Sequence, residues 1–113
     1  MHVNLLSDVG HPNSDEQITE LVSAPGIRIE RIVSTGQSSL PGFWYDQSWA
    51  EWVALLQGEA ELMIDGEASA RCLRAGDHVL LPSGLRHRVE RTSVSPPAIW
   101  LAVYFDAKPR SAE

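Results

Sequence analysis

The chain has 113 residues, of which 43% are hydrophobic and 21% are charged, proportions typical of a small globular protein with one core. Its formal net charge of −6 at pH 7 argues against nucleic acid or an anionic membrane as a partner, because both require a basic face. Cys72 is the only cysteine, so an intrachain disulfide is excluded. The first residues have neither the basic start nor the apolar run of a signal peptide, and no segment approaches the ~18 apolar residues of a membrane span. We therefore expect a cytoplasmic location.

The first quarter of the chain, residues 1–26, has the pattern of an N-terminal arm with a short helix. Ile18, Leu21 and Val22 have the spacing of one helix face, which predicts a helix over residues 15–22. The sequence Ala24-Pro25-Gly26 follows soon after and is typical of the end of such a helix.

Strand signals dominate from residue 27 onwards. Short runs of apolar or alternating residues, separated by Gly, Pro and Asp, predict strands over residues 27–33, 51–56, 60–64, 79–81, 86–90 and 99–105. Many short strands with this spacing are typical of a sandwich or barrel. We therefore expect one barrel over residues 27–107, followed by a tail over residues 108–113.

The most informative segment runs from Gly76 to His87 and reads G-D-x4-P-x-G-x2-H. Gly76 favours a tight turn because glycine accepts positive φ. Pro82 ends the next strand at a point where no ladder N–H is needed, and Gly84 allows a second reversal. The segment therefore predicts two turns around a short strand, followed by a strand that directs His87 towards the space enclosed by the sheet.

This segment resembles the second motif of the cupin family, G-x5-P-x-G-x2-H-x3-N, with Arg91 where the family usually has Asn. The first cupin motif, G-x5-H-x-H-x3,4-E-x6-G, is recognisable in its second half, where Gly58 follows Glu51 after six residues. The two histidines of that motif are replaced by Tyr45 and Gln47. The resemblance implies an all-β, cupin-type jelly-roll barrel, here with a short N-terminal helix.

The resemblance also implies a candidate metal site. Cupins bind a divalent ion with three histidines and one glutamate, and only Glu51 and His87 match that set here. Gln47 could add an amide oxygen and Tyr45 a phenol oxygen. Such a donor set favours iron, manganese or zinc and differs from the thiolate ligands of cysteine-based metal sites. The candidate metal ligands are therefore Tyr45, Gln47, Glu51 and His87.

The alternative is a barrel without metal. Glu51 and His87 would then lie within hydrogen-bond reach, ~2.7–3.2 Å or one water apart, because a buried carboxylate needs a partner. They would form an acid/base pair in an apolar pocket, with Tyr45 as the third candidate catalytic residue.

Five of the eight aromatic residues lie between Phe43 and Trp52. Their rings either fill the barrel and a subunit interface or line a pocket for a small, partly apolar ligand. Arg91 shares strand parity with His87, so it could reach the barrel mouth and meet a ligand carboxylate.

Two functional classes remain open. The first is an enzyme with isomerase, lyase or oxygenase-like chemistry on a small molecule. The second is a ligand-binding or regulatory barrel that holds no metal and performs no catalysis. In both cases we expect a homodimer, because a first strand over residues 27–33 leaves an edge that a second subunit could cover. Trp44, Trp52 and Trp100 are the interface candidates.

Overall fold

A computed structural model of the chain describes residues 3–9 and 15–106. These residues form eight strands: β1 (Gln17–Ala24), β2 (Ile27–Ser34), β3 (Ala50–Gln57), β4 (Glu59–Ile64), β5 (Arg71–Arg74), β6 (His78–Leu81), β7 (His87–Thr92) and β8 (Ala98–Phe105). They build an antiparallel five-stranded sheet of order β1-β2-β8-β3-β6 and a three-stranded sheet of order β5-β4-β7. The predicted all-β architecture is confirmed, and the predicted tail, residues 108–113, lies outside the described residues.

The predicted helix over residues 15–22 is wrong, because this segment forms β1. It pairs with β2 from Gln17 opposite Val33 to Ala24 opposite Ile27. The two strands are joined by Pro25 and Gly26, and Gly26 has a φ of 79°. These two residues therefore form a hairpin turn, a role in which Pro followed by Gly is common.

A bulge explains why β1 resembled a helix. The register of the β1–β2 pair shifts between Glu20 and Val22, which leaves Leu21 as the extra residue. The bulge breaks the two-residue alternation of the strand. It leaves Ile18, Leu21 and Val22 at a spacing that is also found on one face of a helix.

The core lies between the two sheets. Residues on β3 alternate, so that Val53 and Leu55 point inwards and pack with Leu62 of β4 and Trp100 of β8. Burying an aliphatic side chain of this size stabilises the fold by about 1.5–3 kcal/mol. Glu51 has the same strand parity and therefore also points inwards, which puts a carboxylate at one end of an apolar core.

The segment around β6 has the predicted turns. Gly76 and Gly84 both have positive φ, at 97° and 79°. β6 lies between them, and β7 begins at His87.

The expected dimer edge must be corrected. β2 is not an edge strand, because β1 covers one side of it and β8 the other. The edges of the five-stranded sheet are β1 and β6. Trp100 is not an interface candidate either, since it is buried in the core. No helix within the described ranges is long and apolar enough to cross a membrane.

Candidate functional site

Tyr45 is held against His87 by its backbone and by its ring. The Tyr45 N–H donates to the His87 carbonyl at 2.7 Å, and the His87 N–H donates to the Tyr45 carbonyl at 3.1 Å. The two rings stack with centroids 5.3 Å apart and planes at 20°. The Phe43 ring packs edge-on against the Tyr45 ring, with the two centroids 4.9 Å apart. The segment before β3 is therefore attached to β7 at the position of the motif histidine.

Gln47 connects the second turn of the motif to Glu51. Its carbonyl accepts from the Gly84 N–H at 2.7 Å, and its Nε2 donates to Glu51 Oε1 at 3.0 Å. Glu51 itself is buried, with 7% of its surface exposed. Burial raises the pKa of the Glu51 carboxyl, while the Gln47 hydrogen bond and the charge of His87 offset part of that increase. A raised pKa means that Glu51 can hold a proton closer to neutral pH than an exposed glutamate.

His87 is oriented by the chain just before it. Its Nδ1 lies 3.0 Å from the Leu85 carbonyl, which can only accept, so the hydrogen bond assigns the proton to Nδ1. The other nitrogen, Nε2, lies 3.7 Å from Glu51 Oε1. This distance exceeds the direct hydrogen-bond reach expected for a pair without metal, and both side chains are buried.

All four predicted site residues line one cavity of about 130 Å³ between the two sheets. Its apolar wall includes Val53, Leu81 and Trp100. The structure thus brings Tyr45, Gln47, Glu51 and His87 together around one interior space.

The cavity also has polar residues that the sequence reasoning missed. Tyr104 of β8 lies directly opposite Glu51 of β3 in the sheet register, and Glu16, Glu30 and Ser34 line the same space. Burial raises the pKa of Tyr104, and the charges of Glu51 and Glu30 raise it further. The signal for Tyr104 was present, because it shares two-residue parity with Trp100 on the same strand.

Arg91 does not reach the cavity. Its Nε donates to Glu61 at 2.9 Å on the exposed side of the three-stranded sheet. The β4–β7 register shifts between Glu61 and Leu62, and Glu90 is the extra residue. This bulge reverses the parity that linked Arg91 to His87.

The donor chemistry of the site does not fit a family-type metal centre. Among the described residues, no group of three or more His, Cys, Asp or Glu side chains is arranged to hold an ion. Burial and the charges of Glu16 and Glu51 raise the pKa of Tyr45, so its side chain is a protonated phenol and not an anionic donor. Gln47 also turns an N–H, not its oxygen, towards the carboxylate.

Comparison with known proteins agrees with the fold and the motifs. A family model described as a cupin domain matches residues 32–104. A protein from Ralstonia eutropha JMP134, provisionally named a mannose-6-phosphate isomerase, has a crystal structure that matches with a TM-score of 0.91 and 43% identity over 95% of this chain and 99% of that one. No functionally curated protein matches the chain.

More distant structures share the fold alone. A cupin superfamily protein from Desulfitobacterium hafniense has a TM-score of 0.71 and 15% identity over 86% of this chain and 83% of that one. A protein of unknown function from Streptococcus pyogenes has a TM-score of 0.74 and 19% identity over 96% and 90% of the two chains.

Proposed function

The chain belongs to the cupin family, and on that premise we propose that its cavity binds a small molecule and transfers protons on it. Glu51 and His87 act as the acid/base pair. The observation that carries this proposal is that a buried carboxyl and a buried imidazole from different sheets face the same cavity, with 3.7 Å between His87 Nε2 and Glu51 Oε1.

The two groups suit opposite roles in proton transfer. Glu51, whose pKa is raised by burial, keeps its proton to a higher pH than an exposed glutamate and can therefore act as the acid. His87 donates from Nδ1 to the Leu85 carbonyl, so its Nε2 keeps a lone pair that accepts a proton. One group can therefore take a proton from the bound molecule while the other supplies one.

Isomerisation of a hydroxy-carbonyl compound is the reaction that fits these roles best. One group removes the proton from the hydroxyl-bearing carbon while the carbonyl oxygen gains a proton, which gives an enediol. The former carbonyl carbon is then protonated and the original hydroxyl loses its proton to become the new carbonyl, so no redox partner is needed. Tyr45 has a raised pKa and stays a protonated donor, which suits it to hydrogen-bond the carbonyl oxygen as charge develops there. The provisional name of the Ralstonia relative belongs to the same reaction class.

Two other functions remain as candidates. A form with bound iron, manganese or zinc is supported by the retention of Glu51 and His87 at the family's ligand positions. A barrel that binds a ligand without catalysis is supported by the loss of the two motif histidines to Tyr45 and Gln47. The first would use Glu51 and His87 as ligands, and the second would use the same cavity without proton transfer.

Deuterium exchange tests the proposal against both alternatives. The protein is incubated with D-mannose and other aldoses in D2O, and deuterium entering at C2 is followed by NMR. We expect exchange that falls by about 10²–10⁴-fold in Glu51→Gln and in His87→Ala, while a chelator leaves it unchanged. Exchange that is equal in the variants, or absent with every sugar, would refute the proton-transfer role.

The assembly and location of the protein are part of this proposal. β1 has seven exposed positions among its eight residues, including Ile18, Leu21 and Val22. Such an apolar edge strand is a template for pairing with another chain, which supports a homodimer through β1. A cytoplasmic location remains a prediction from the sequence.

A further inference from the structure

The charge of the cavity wall restricts what it can bind. Three of its lining residues are acidic, namely Glu16, Glu30 and Glu51. None of the described residues that line it is a lysine or arginine, and His87 is its one basic side chain. A buried anion that enters without a cationic partner loses its hydration, and each ionised carboxylate of the wall adds repulsion.

Arg28 is not a lining residue of the cavity, but it contacts the lining residues Glu30 and Tyr104. Arg28 Nε lies 3.1 Å from Glu30 Oε2, and its guanidinium lies over the ring of Tyr104, 4.5 Å from the centroid. Glu30 balances the charge of Arg28, so a ligand phosphate or carboxylate that approached Arg28 would also meet the Glu30 carboxylate in the cavity wall.

The neutral groups of the wall have a different preference. Tyr45 and Tyr104 are phenols, Gln47 is an amide and Ser34 is a hydroxyl. The phenol rings present apolar area, and their polar ends can donate to or accept from hydroxyl and carbonyl groups. A ring face also attracts a cation.

We infer that the cavity takes an uncharged or cationic small molecule with hydroxyl or amide groups and rejects phosphorylated or carboxylate ligands. This inference rests on the proposed function, since it names the ligand class of the same site. The Ralstonia relative, in contrast, is provisionally named after a reaction on a phosphorylated sugar.

A matched pair of small probes tests the inference without knowledge of the natural ligand. Acetamide and acetate have nearly the same shape and differ in charge. Each is titrated near neutral pH into protein with ¹³C-labelled tyrosine and histidine rings, and the Tyr104 and His87 signals are followed. We expect acetamide to shift these signals and acetate to bind at least about tenfold more weakly. If acetate binds as tightly as acetamide, the inference is overturned. Shifts with neither probe, nor with methylammonium, would instead overturn the proposed function, because the cavity would then admit no ligand.

Glu30→Gln tests the physical cause. The substitution removes one carboxylate and releases Arg28 at the edge of the cavity, so we expect the variant to gain affinity for acetate and for inorganic phosphate at the Tyr104 signal. The matched control is Glu67→Gln, which releases Arg71 from an exposed ion pair of 2.6 Å and should leave the cavity signals unchanged. An equal response in the two variants, or no gain in Glu30→Gln, would show that the Arg28–Glu30 pair does not control ligand charge.

Discussion

His87 Nε2 and Glu51 Oε1 lie 3.7 Å apart although the two residues come from different sheets. His87 begins β7, and Glu51 is the second residue of β3. Each side chain has its own supporting hydrogen bond. The His87 imidazole donates to the Leu85 carbonyl, and the Glu51 carboxylate accepts from the Gln47 amide. The fold therefore fixes the pair from both sides of the barrel.

The raised pKa of Glu51 predicts how stability depends on pH. A carboxyl with a folded-state pKa above its ordinary value of 4.5 stabilises the fold at low pH, and this contribution is lost as the pH rises through the folded pKa. Glu51→Gln cannot ionise, so we expect its stability relative to the wild type to increase as the pH rises from about 4.5 through the folded-state pKa of Glu51. Urea unfolding at several pH values measures the difference.

Glu67→Gln is the control with the opposite sign. The hydrogen bond from Arg71 lowers the pKa of the Glu67 carboxyl, so the wild type should gain on this variant as the pH rises. A Glu51→Gln variant that loses stability relative to the wild type over this range would mean that burial is not the dominant influence on Glu51.

Gly58, the glycine that follows Glu51 after six residues, is predicted to tolerate no side chain. Its φ is 84°, and a Cβ would lie 2.7 Å from the Pro97 carbonyl oxygen and 2.9 Å from the Ala98 Cα. Gly58→Ala combines left-handed strain with a clash against backbone, so we expect a loss of about 2–5 kcal/mol in the free energy of unfolding. Gly66→Ala is the control, since its φ is 93° with no atom within 4 Å, and it should lose only about 1–2 kcal/mol. Equal losses would contradict the role of the close approach.

The exposed strand β1 predicts where the homodimer forms. Leu21→Asp places a charge on this edge and should weaken dimerisation by at least about tenfold, as measured by light scattering across a concentration series. Leu80→Asp is the matched control, because Leu80 is an exposed leucine on β6 at the opposite edge of the same sheet. A wild-type protein that is monomeric at micromolar concentration, or a larger effect from Leu80→Asp, would contradict this interface.

Much of the fold could be predicted from the sequence because most strands follow simple alternation between turn residues. The site could be predicted in part for the same reason. Glu51 and His87 lie at motif positions, and Tyr45 and Gln47 replace the motif histidines. These residues indicated the cupin family, and the cupin family model also matches the chain.

The errors came from two bulges. One, at Leu21, gave β1 a helix-like spacing, and the other, at Glu90, turned Arg91 to the outside. A bulge depends on pairing with a neighbouring strand, so a single segment of sequence does not reveal it. Ion pairing between Arg28 and Glu30 likewise depends on side-chain geometry that strand parity leaves open.

The donor set predicts that function does not require a metal. We expect elemental analysis of the purified protein to find iron, manganese and zinc well below one equivalent, and we expect dialysis against a chelator to leave the melting temperature unchanged. One equivalent of any of these ions, lost in His87→Ala, would instead support the candidate with a bound metal.

A double-mutant cycle between Glu51 and His87 tests most directly whether the two residues act as one unit. The free energy of unfolding is measured at neutral pH for the wild type, Glu51→Gln, His87→Gln and the double variant. If the pair is coupled, the sum of the two single effects should differ from the effect of the double variant by about 0.5–3 kcal/mol. Effects that add to within about 0.5 kcal/mol would mean that the two side chains are independent, and the claim that Glu51 and His87 form one interacting unit would be contradicted.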